Sequence, residues 1–322
     1  MLFHITGRIL DETGTGIAGV EVHAYDQDVG ADDDLGASVT DAAGAFEITY
    51  TERQFQEFPN YEAAPDVYIT VKTQDGRRVY TSPVMQDAPQ ELDLGEIRVL
   101  RRLVEGAPSG IVGFAFSERM AGYYAEAIPR DHWKLPEETR ESRRQHCTRL
   151  ADVGRRRNDR LSFRVRISID DLQTFLDDPA HTARLEGRID YGALGANLPI
   201  KDGIFNLFSM DPEAKMRKML YRFSFITDSG QVYCLDGEKE IHREHTLLEG
   251  FPDMTALFTI IHHGPTIRGK EAGAGVLKVP LDTLIEMARS TEVLGAANTL
   301  EEVGARARFL GFVSRELLHT YL

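Results

Sequence analysis

The sequence predicts a mainly β chain: an N-terminal prealbumin-like β-sandwich, then an antiparallel β-barrel-like (lipocalin-like) domain with terminal helices. Three observations support this fold class. Apolar residues alternate with period two through most of the chain, turn residues separate these runs at short intervals, and the longest helical patterns lie near the C-terminus. A chain of 322 residues, 42% of them hydrophobic, is long enough to build two hydrophobic cores.

The first hundred residues are predicted to form about seven short strands. These strands cover residues 3–10, 20–25, 36–40, 46–50, 67–72, 78–81 and 92–99. Turn-forming segments at 11–16, 41–44 and 74–77 separate several of them. With this many short strands, two sheets packed face to face are the natural outcome.

Small, turn-forming residues at 103–110 mark a predicted domain boundary. The first domain then covers residues 1–102 and the second covers residues 111–322. Strands of the second domain are predicted at 161–169, 183–191, 203–208, 219–226, 232–241, 255–262 and 276–279. A sheet of this size avoids exposed edges by curling into a barrel.

Helices are also predicted in the second domain. Asp170 is expected to cap a short helix at 171–176, and helices at 281–290 and 300–318 end the chain. The last helix is predicted to bury one face, formed by Val303, Ala307, Phe309 and Leu310. The Arg-rich segment 130–160 is interspersed with acidic residues, which favours a solvated helix or loop over an anion site.

Composition and charge limit the classes of partner. Residues 1–100 carry 19 Asp and Glu against 6 Lys and Arg, so most of the formal charge of −14 lies there. An acidic surface repels nucleic acid and anionic membranes and favours basic partners. No apolar run reaches the roughly 18 residues that span a bilayer, and residues 1–8 lack a signal-peptide pattern, so we expect a cytoplasmic protein without a membrane span. With two cysteines, Cys147 and Cys234, a disulfide framework is not expected.

Three segments of the first domain carry a family resemblance. Residues 5–10, 16–22 and 40–48 resemble the corresponding strands and turns of transthyretin-like, carboxypeptidase-regulatory-like β-sandwich modules. The resemblance covers most of residues 3–99. It implies a sandwich fold and, because such modules usually serve structural or interaction roles, a non-catalytic function for this domain.

Two further patterns in this domain could indicate ligands. Residues 14–19 match the glycine fingerprint of dinucleotide sites, but the chain after them is predicted to be a strand, whereas the fingerprint requires a helix. The acidic loop at 26–34 could supply oxygen ligands to calcium, yet it lacks the spacing of a known calcium loop, so a solvated turn is favoured. We therefore expect no nicotinamide or flavin cofactor and assign no metal site.

Alternating residues of the second domain would line the interior of a barrel. The inward positions are mainly aromatic, and we identify them as candidate ligand-binding residues. They are Phe163, Phe205, Leu207, Tyr221, Phe223, Phe225, Tyr233 and Phe258, with Val165 beside them. Such an interior is either a filled core or a pocket for an apolar ligand, and the sequence leaves both open.

The second domain also carries a family resemblance. Similar segments occur, in the same order, after the flavin domain of bacterial cholesterol-oxidase-like GMC oxidoreductases. In this chain they are residues 116–122, 169–172, 178–181, 203–208, 219–223, 237–239, 251–257 and 307–312. A β-sandwich precedes the region here in place of a flavin unit, so redox activity is not implied. The resemblance implies an accessory domain that works beside enzymes of sterols or similar apolar molecules, holding the substrate or docking the enzyme.

Two alternatives to a lipid-binding or sterol-binding accessory protein stay open. His242, His245, His262 and His263 lie near Asp236, Glu238, Glu244 and Asp253 in the sequence, and a histidine–carboxylate pair can perform acid–base catalysis. Adjacent residues of a strand point to opposite faces, however, and no nucleophile motif is present, so no catalytic residue is assigned. The other alternative is a protein-binding adaptor that acts through the acidic sandwich.

Overall fold

The computed structural model describes residues 1–28, 32–56, 63–105, 112–126, 140–211, 216–241, 256–279 and 291–321. The chain divides into two compact units. Met1–Phe114 and Val293–Arg306 form the first, and Ala115–Glu292 and Ala307–Leu322 form the second. The chain is mainly β, with a sandwich and a closed barrel, as the sequence predicted.

Seven strands form the sandwich of the first unit. They are β1 (Leu2–Leu10), β2 (Glu21–Asp26), β3 (Asp33–Val39), β4 (Ala45–Thr51), β5 (Val67–Lys72), β6 (Arg78–Thr81) and β7 (Glu91–Arg98). One sheet has the order β4-β1-β7 and the other β3-β2-β5-β6. A 3-10 helix at Glu52–Gln54 and helix α1 (Arg101–Glu105) complete the described elements of residues 1–105. The glycine-rich segment 14–19 leads into strand β2, as predicted.

The sandwich core lies between the two sheets. Alternate residues of each strand point inward, and apolar side chains from both sheets form one continuous buried cluster between Phe3 and Leu103. The Phe3 and Tyr50 rings stack with their centroids 5.2 Å apart. The turn after β1 is held by Asp11, whose carboxylate accepts hydrogen bonds from the backbone N–H groups of Thr13 and Thr15.

Eight strands form the barrel. They are β8 (Gly113–Glu126), β9 (Arg160–Ile169), β10 (Thr182–Tyr191), β11 (Leu198–Asp211), β12 (Met216–Ile226), β13 (Val232–Ile241), β14 (Ala256–His263) and β15 (Glu271–Lys278), and a short strand β16 (Glu292–Leu294) follows. Adjacent strands from β9 to β15 are antiparallel. The barrel closes because β15 also pairs with β8.

In the described residues, three helices accompany the barrel strands: α2 (Arg140–Arg157), α3 (Leu172–Asp177) and α4 (Thr299–Tyr321), with a 3-10 helix at Gly192–Leu194. Helix α3 is capped by Asp171 rather than by the predicted Asp170, because the Asp171 carboxylate accepts from the N–H groups of Gln173 and Thr174. The predicted helix at 281–290 lies outside the described residues. No helix in the described ranges is long and apolar enough to span a bilayer.

Helix α2 packs against the outer face of the barrel. Its buried side chains include Cys147 and Leu150, which contact Ala125 of β8 and Ala274 of β15. A Cβ atom on Gly154 would clash with the Tyr124 backbone carbonyl, so only glycine permits this close approach of helix and strand. Residues 140–157 of the Arg-rich segment therefore form a helix with one buried face, whereas their many arginines had favoured a solvated helix or loop.

Helix α4 buries a different stripe from the one predicted. Val303, Ala307 and Leu310 are exposed, whereas Phe309 is buried as expected. Among residues 299–316 of α4, the other buried side chains are Ala305, Phe312 and Glu316. Both stripes fit a helical period, so the choice between them depends on the partners of the helix, which the local sequence does not specify.

We predict that residues 1–105 fold as an independent unit, because the whole buried cluster of the sandwich lies between Phe3 and Leu103. In urea titrations followed by circular dichroism, this fragment should unfold cooperatively. A control fragment of residues 1–98 lacks Val99 and Leu103 and should be less stable by about 2–5 kcal/mol.

A contact with a distant part of the chain defines what an unfolded fragment would mean. Gly295 donates a backbone hydrogen bond to the Arg78 carbonyl (2.9 Å) in the same unit. An unfolded 1–105 fragment, beside a folded full chain, would mean that the sandwich requires the segment 293–306 and that the predicted boundary is wrong.

Candidate functional site

Seven of the eight candidate ligand-binding residues are buried inside the barrel. They are Phe163, Phe205, Leu207, Tyr221, Phe223, Phe225 and Tyr233, each at most 6% exposed, and Val165 is buried with them. Strand pairing places several of them on the same, inward face of the sheet, because residues directly opposite each other on paired strands point to the same side. Phe223 lies opposite Leu235, and Phe225 lies opposite Tyr233.

The aromatic rings in the interior contact one another in a continuous series. Phe205 and Tyr221 have ring centroids 4.9 Å apart, and Phe163 contacts Phe223 edge to face at 5.5 Å. Tyr233 stacks on Phe225 at 5.7 Å. In the structure these rings pack directly against one another. A bound molecule would therefore replace some ring–ring contacts with contacts between rings and ligand.

Phe258 lies on the opposite face of the sheet from the other seven. It pairs with Glu238, whose side chain is on the outer face, and the Arg144 guanidinium of α2 stands 5.6 Å from its ring centroid. The expected inward direction of Phe258 is therefore corrected. The inward residues of β14 are the buried Leu257, Thr259 and Ile261.

A charged cluster is also buried in the interior. Glu118 of β8 and Lys239 of β13 form an ion pair of 2.6 Å, with side chains 5% and 4% exposed. The Tyr221 hydroxyl donates a 2.6 Å hydrogen bond to the other oxygen of Glu118. Burial, reinforced by the negative charge of Glu118, raises the pKa of Tyr221 well above its usual value. Tyr221 therefore stays a neutral donor.

Sequence reasoning missed this cluster, although one signal was available. Glu118 alternates with Phe114, Phe116 and Met120, so it occupies an inward position of a strand that is otherwise apolar. This alternation indicates an inward position only if residues 113–126 are recognised as a strand, and the sequence analysis did not predict one there. Ionised groups are rarely this deeply buried unless they are paired.

The two described carboxylates of the acid–base alternative, Asp236 and Glu238, pair with basic side chains, and Glu238 binds Lys218 at 2.7 Å. Asp236 binds Arg143 and Arg222, at 2.9 and 2.7 Å. Burial opposes ionisation of Asp236, but the two guanidinium groups outweigh it and lower the pKa of the carboxyl. His262 contacts the Gly269 carbonyl, and the His263 ring contacts Tyr233.

The remaining members of that alternative, His242, His245, Glu244 and Asp253, lie outside the described residues.

Both cysteine thiols of the chain are buried. Burial raises the pKa of Cys147 to about 12 and that of Cys234 to about 11, so both stay protonated at neutral pH.

Carboxylates of the acidic loop converge at one end of the sandwich. Oxygen atoms of Asp26, Asp28 and Asp33 lie within 4.8 Å of one another. Asp26 is fully buried and accepts a hydrogen bond from the Asp66 backbone N–H (2.6 Å). Asp32, in the same loop, accepts from the Tyr68 hydroxyl. The carboxylates thus also organise the loop through hydrogen bonds.

An open groove of about 580 Å³ lies on the sandwich, lined by residues of β1, β3, β4 and β7. Its charged side chains are Asp41, Glu47, Asp93, Glu96 and a single basic residue, Arg8. Gly7 deepens the groove, since a Cβ there would approach the Phe46 ring to 2.9 Å. The groove is therefore predominantly acidic.

No protein-family model matches the chain, and no curated protein matches it. Among solved structures, a 9R-lipoxygenase from Cyanothece is similar at 14% identity and a TM-score of 0.25, over 89% of this chain and 43% of the lipoxygenase. The chain thus spans less than half of that protein.

Two smaller proteins are also similar. A DUF3823 family protein from Parabacteroides merdae has 8% identity and a TM-score of 0.20, over 74% of this chain and 90% of its own. BcpA, the major pilin subunit of Bacillus cereus, has 9% identity and a TM-score of 0.16, over 88% and 96%. Such low TM-scores carry no argument about the fold or function of this chain.

The barrel and α4 enclose a buried histidine. His181 is 8% exposed, has a positive φ of 44°, and lies against the Phe312 ring at 4.7 Å. Its Nδ1 atom is buried without a hydrogen-bond partner in the described part of the chain. Burial lowers the pKa of His181, and Arg217 adds to this effect, while Glu316 and Asp178 oppose it.

We predict that protonation of His181 destabilises the protein. The unfolded chain binds this proton near the ordinary pKa of about 6.5, whereas the folded chain binds it only at lower pH. The free energy of unfolding should therefore decrease as the pH falls below about 6.5. Denaturant titrations between pH 8 and 5 would measure this.

A substitution isolates the effect of His181. Asn tolerates a positive φ, so His181→Asn should keep the turn and flatten the pH dependence, at a loss of about 1–3 kcal/mol at neutral pH. The exposed His263, replaced by Asn, is the control for loss of an imidazole elsewhere in the second unit. An equally steep slope in His181→Asn would assign the pH dependence to other groups.

Proposed function

We propose that this chain is a non-catalytic, cytoplasmic binding protein whose barrel holds a small apolar molecule of the sterol or lipid type. The observation that carries the proposal is the buried Glu118–Lys239–Tyr221 cluster among the aromatic rings of the closed barrel. Ligand pockets combine a mainly apolar lining with a few polar groups that fix orientation. Replacing a buried ion pair by apolar groups of similar volume is often neutral or stabilising, so stability alone is weak grounds for the pair, and a binding role accounts for it better.

The barrel size fits this role. An eight-stranded barrel has an interior that side chains can fill or that can hold one small ligand. The interior side chains are mostly aromatic, with few rotatable bonds, and Leu207 and Phe116 lie beside them. The ligand would occupy the interior by moving some of these rings.

The sequence resemblance implies the context for this role: the barrel would hold the substrate of a GMC-type enzyme beside which the protein works.

We predict that an environment-sensitive apolar fluorophore binds the wild-type protein and that Phe223→Asp abolishes this binding, because a carboxylate there would be buried without a partner. Phe223→Leu keeps an apolar lining and should still bind. Ile204→Asp is the matched control, since Ile204 is 47% exposed and lies beside the inward Phe205.

Fluorescence titration gives the affinity, and circular dichroism shows whether each variant is folded. Loss of binding in Ile204→Asp as well as in Phe223→Asp would place the fluorophore on the surface. Unchanged binding in a folded Phe223→Asp protein would refute the barrel site.

The acidic groove of the sandwich favours a second candidate function, docking of a basic protein segment. Four carboxylates and one guanidinium line the groove, and the surrounding residues 1–100 carry most of the net charge. A Lys- or Arg-rich peptide would complement this surface, and attraction between exposed charges would make binding sensitive to salt.

We predict that Glu47→Lys with Glu96→Lys weakens binding of a basic peptide to the full chain by about tenfold or more, because two attractions become repulsions. Glu21→Lys with Glu91→Lys, at exposed acidic positions that do not line the groove, is the charge-matched control and should have a smaller effect. Fluorescence anisotropy with a labelled oligo-arginine peptide would measure both. Equal losses in the two proteins would indicate attraction by net charge alone.

A further inference from the structure

The buried ion pair spans the interior of the barrel. Glu118 lies on β8 and Lys239 on β13, and these strands are separated by β14 and β15 in the sheet order. Their side chains therefore meet across the enclosed space and not along the wall. Tyr221, on β12, joins them through its hydroxyl, and the Lys239 ammonium stands 4.9 Å from its ring centroid. Polar groups from three strands thus converge on one point.

The hydrogen bonds of this cluster leave donor capacity unused. An ammonium group has three N–H donors. Within the described residues, Lys239 donates to one oxygen, Oε1 of Glu118, and a second N–H can face the Tyr221 ring. Each Glu118 oxygen has one donor, and the Tyr221 oxygen can still accept. In the part of the chain that the structure describes, one N–H of Lys239 therefore has no oxygen acceptor, in a side chain that is 4% exposed.

The charge of the cluster is already balanced. Glu118 compensates Lys239, so the site as a whole is neutral. A ligand carboxylate would add a second negative charge beside Glu118 in a low-dielectric interior, which is strongly unfavourable. A ketone or hydroxyl oxygen can accept the free N–H of Lys239 without adding charge. A hydroxyl can also donate to the Tyr221 oxygen.

We infer that the barrel selects neutral apolar molecules that end in a single ketone or hydroxyl oxygen over carboxylic acids of the same length, and that Lys239 contacts this oxygen. The inference rests on the proposed barrel function and names the class of ligand. Glu118 then has a defined role as the counter-charge that excludes anionic lipids.

The test compares three molecules with the same chain: dodecanol, dodecanone and dodecanoate. Each competes with the apolar fluorophore for the full-length protein, at a pH where the acid is ionised. We expect the alcohol and the ketone to bind about 100-fold more tightly than the acid, the scale of an uncompensated buried charge. Binding of none of the three would refute the proposed function. Equal binding of all three would refute only the ligand class.

Substitutions at the ion pair test its role directly. Glu118→Gln keeps the shape but leaves Lys239 without a counter-charge, so the preference should reverse and dodecanoate should bind most tightly. Dodecanoate should also raise the melting temperature of this variant, because it restores the missing negative charge. An unchanged preference for the alcohol in Glu118→Gln would overturn the inference.

A double variant covers the case in which the single substitution does not fold. Glu118→Gln with Lys239→Met removes both charges, and replacing a buried pair by neutral groups of similar volume is usually tolerated. This protein should bind the alcohol and the ketone more weakly than the wild type, since their oxygens lose the Lys239 donor. Retention of wild-type affinity and selectivity by the double variant would show that Lys239 does not contact the ligand.

Discussion

The closure of the barrel between β8 and β15 is the constraint on which the second unit depends. Gly122 lies opposite Leu277, and Gly275 lies opposite Tyr124, in an antiparallel register. A Cβ on either glycine would clash with a backbone carbonyl of the neighbouring strand. The two strands therefore approach closely only because these positions lack side chains. Closure also leaves these strands without free edges.

Closure determines what surrounds each inward side chain. Inward residues of a closed barrel are shielded from solvent by the wall, so a buried charged residue there needs a partner among the other inward side chains. Glu118 and Lys239 are such partners, and Tyr221 satisfies the second oxygen of the carboxylate. Helix α2 packs over the same seam from outside, through Cys147, and places Arg143 beside Asp236. The Glu118–Lys239 pair inside the barrel and the Arg143–Asp236 pair outside it thus lie on opposite faces of the same sheet.

Local sequence patterns predicted most strands correctly, but they predicted which side chains point into the barrel for some strands and not for others. The alternation of Phe223 and Phe225 is unambiguous, since every second residue from Tyr221 to Phe225 is aromatic. At Phe258 both faces of the strand carry apolar side chains, because α2 covers the outer one, and the sequence alone could not show which face is inside. Strand β8 was missed as a strand, and the ion pair with it, because the partners lie 121 positions apart in the chain. Pairing over such distances depends on tertiary contacts that short-range patterns do not encode.

The energetics of the buried ion pair link the fold to the proposed binding function. Desolvation of two charges is repaid only by good geometry and by hydrogen bonds to the remaining donors and acceptors. Among the described residues, both carboxylate oxygens of Glu118 accept a hydrogen bond, whereas one N–H of the Lys239 ammonium has no oxygen acceptor. A purely structural pair would be more stable with every donor satisfied. In the proposed binding role, a ligand oxygen would be the missing acceptor, with Lys239 as its donor and Glu118 as the charge that disfavours anions.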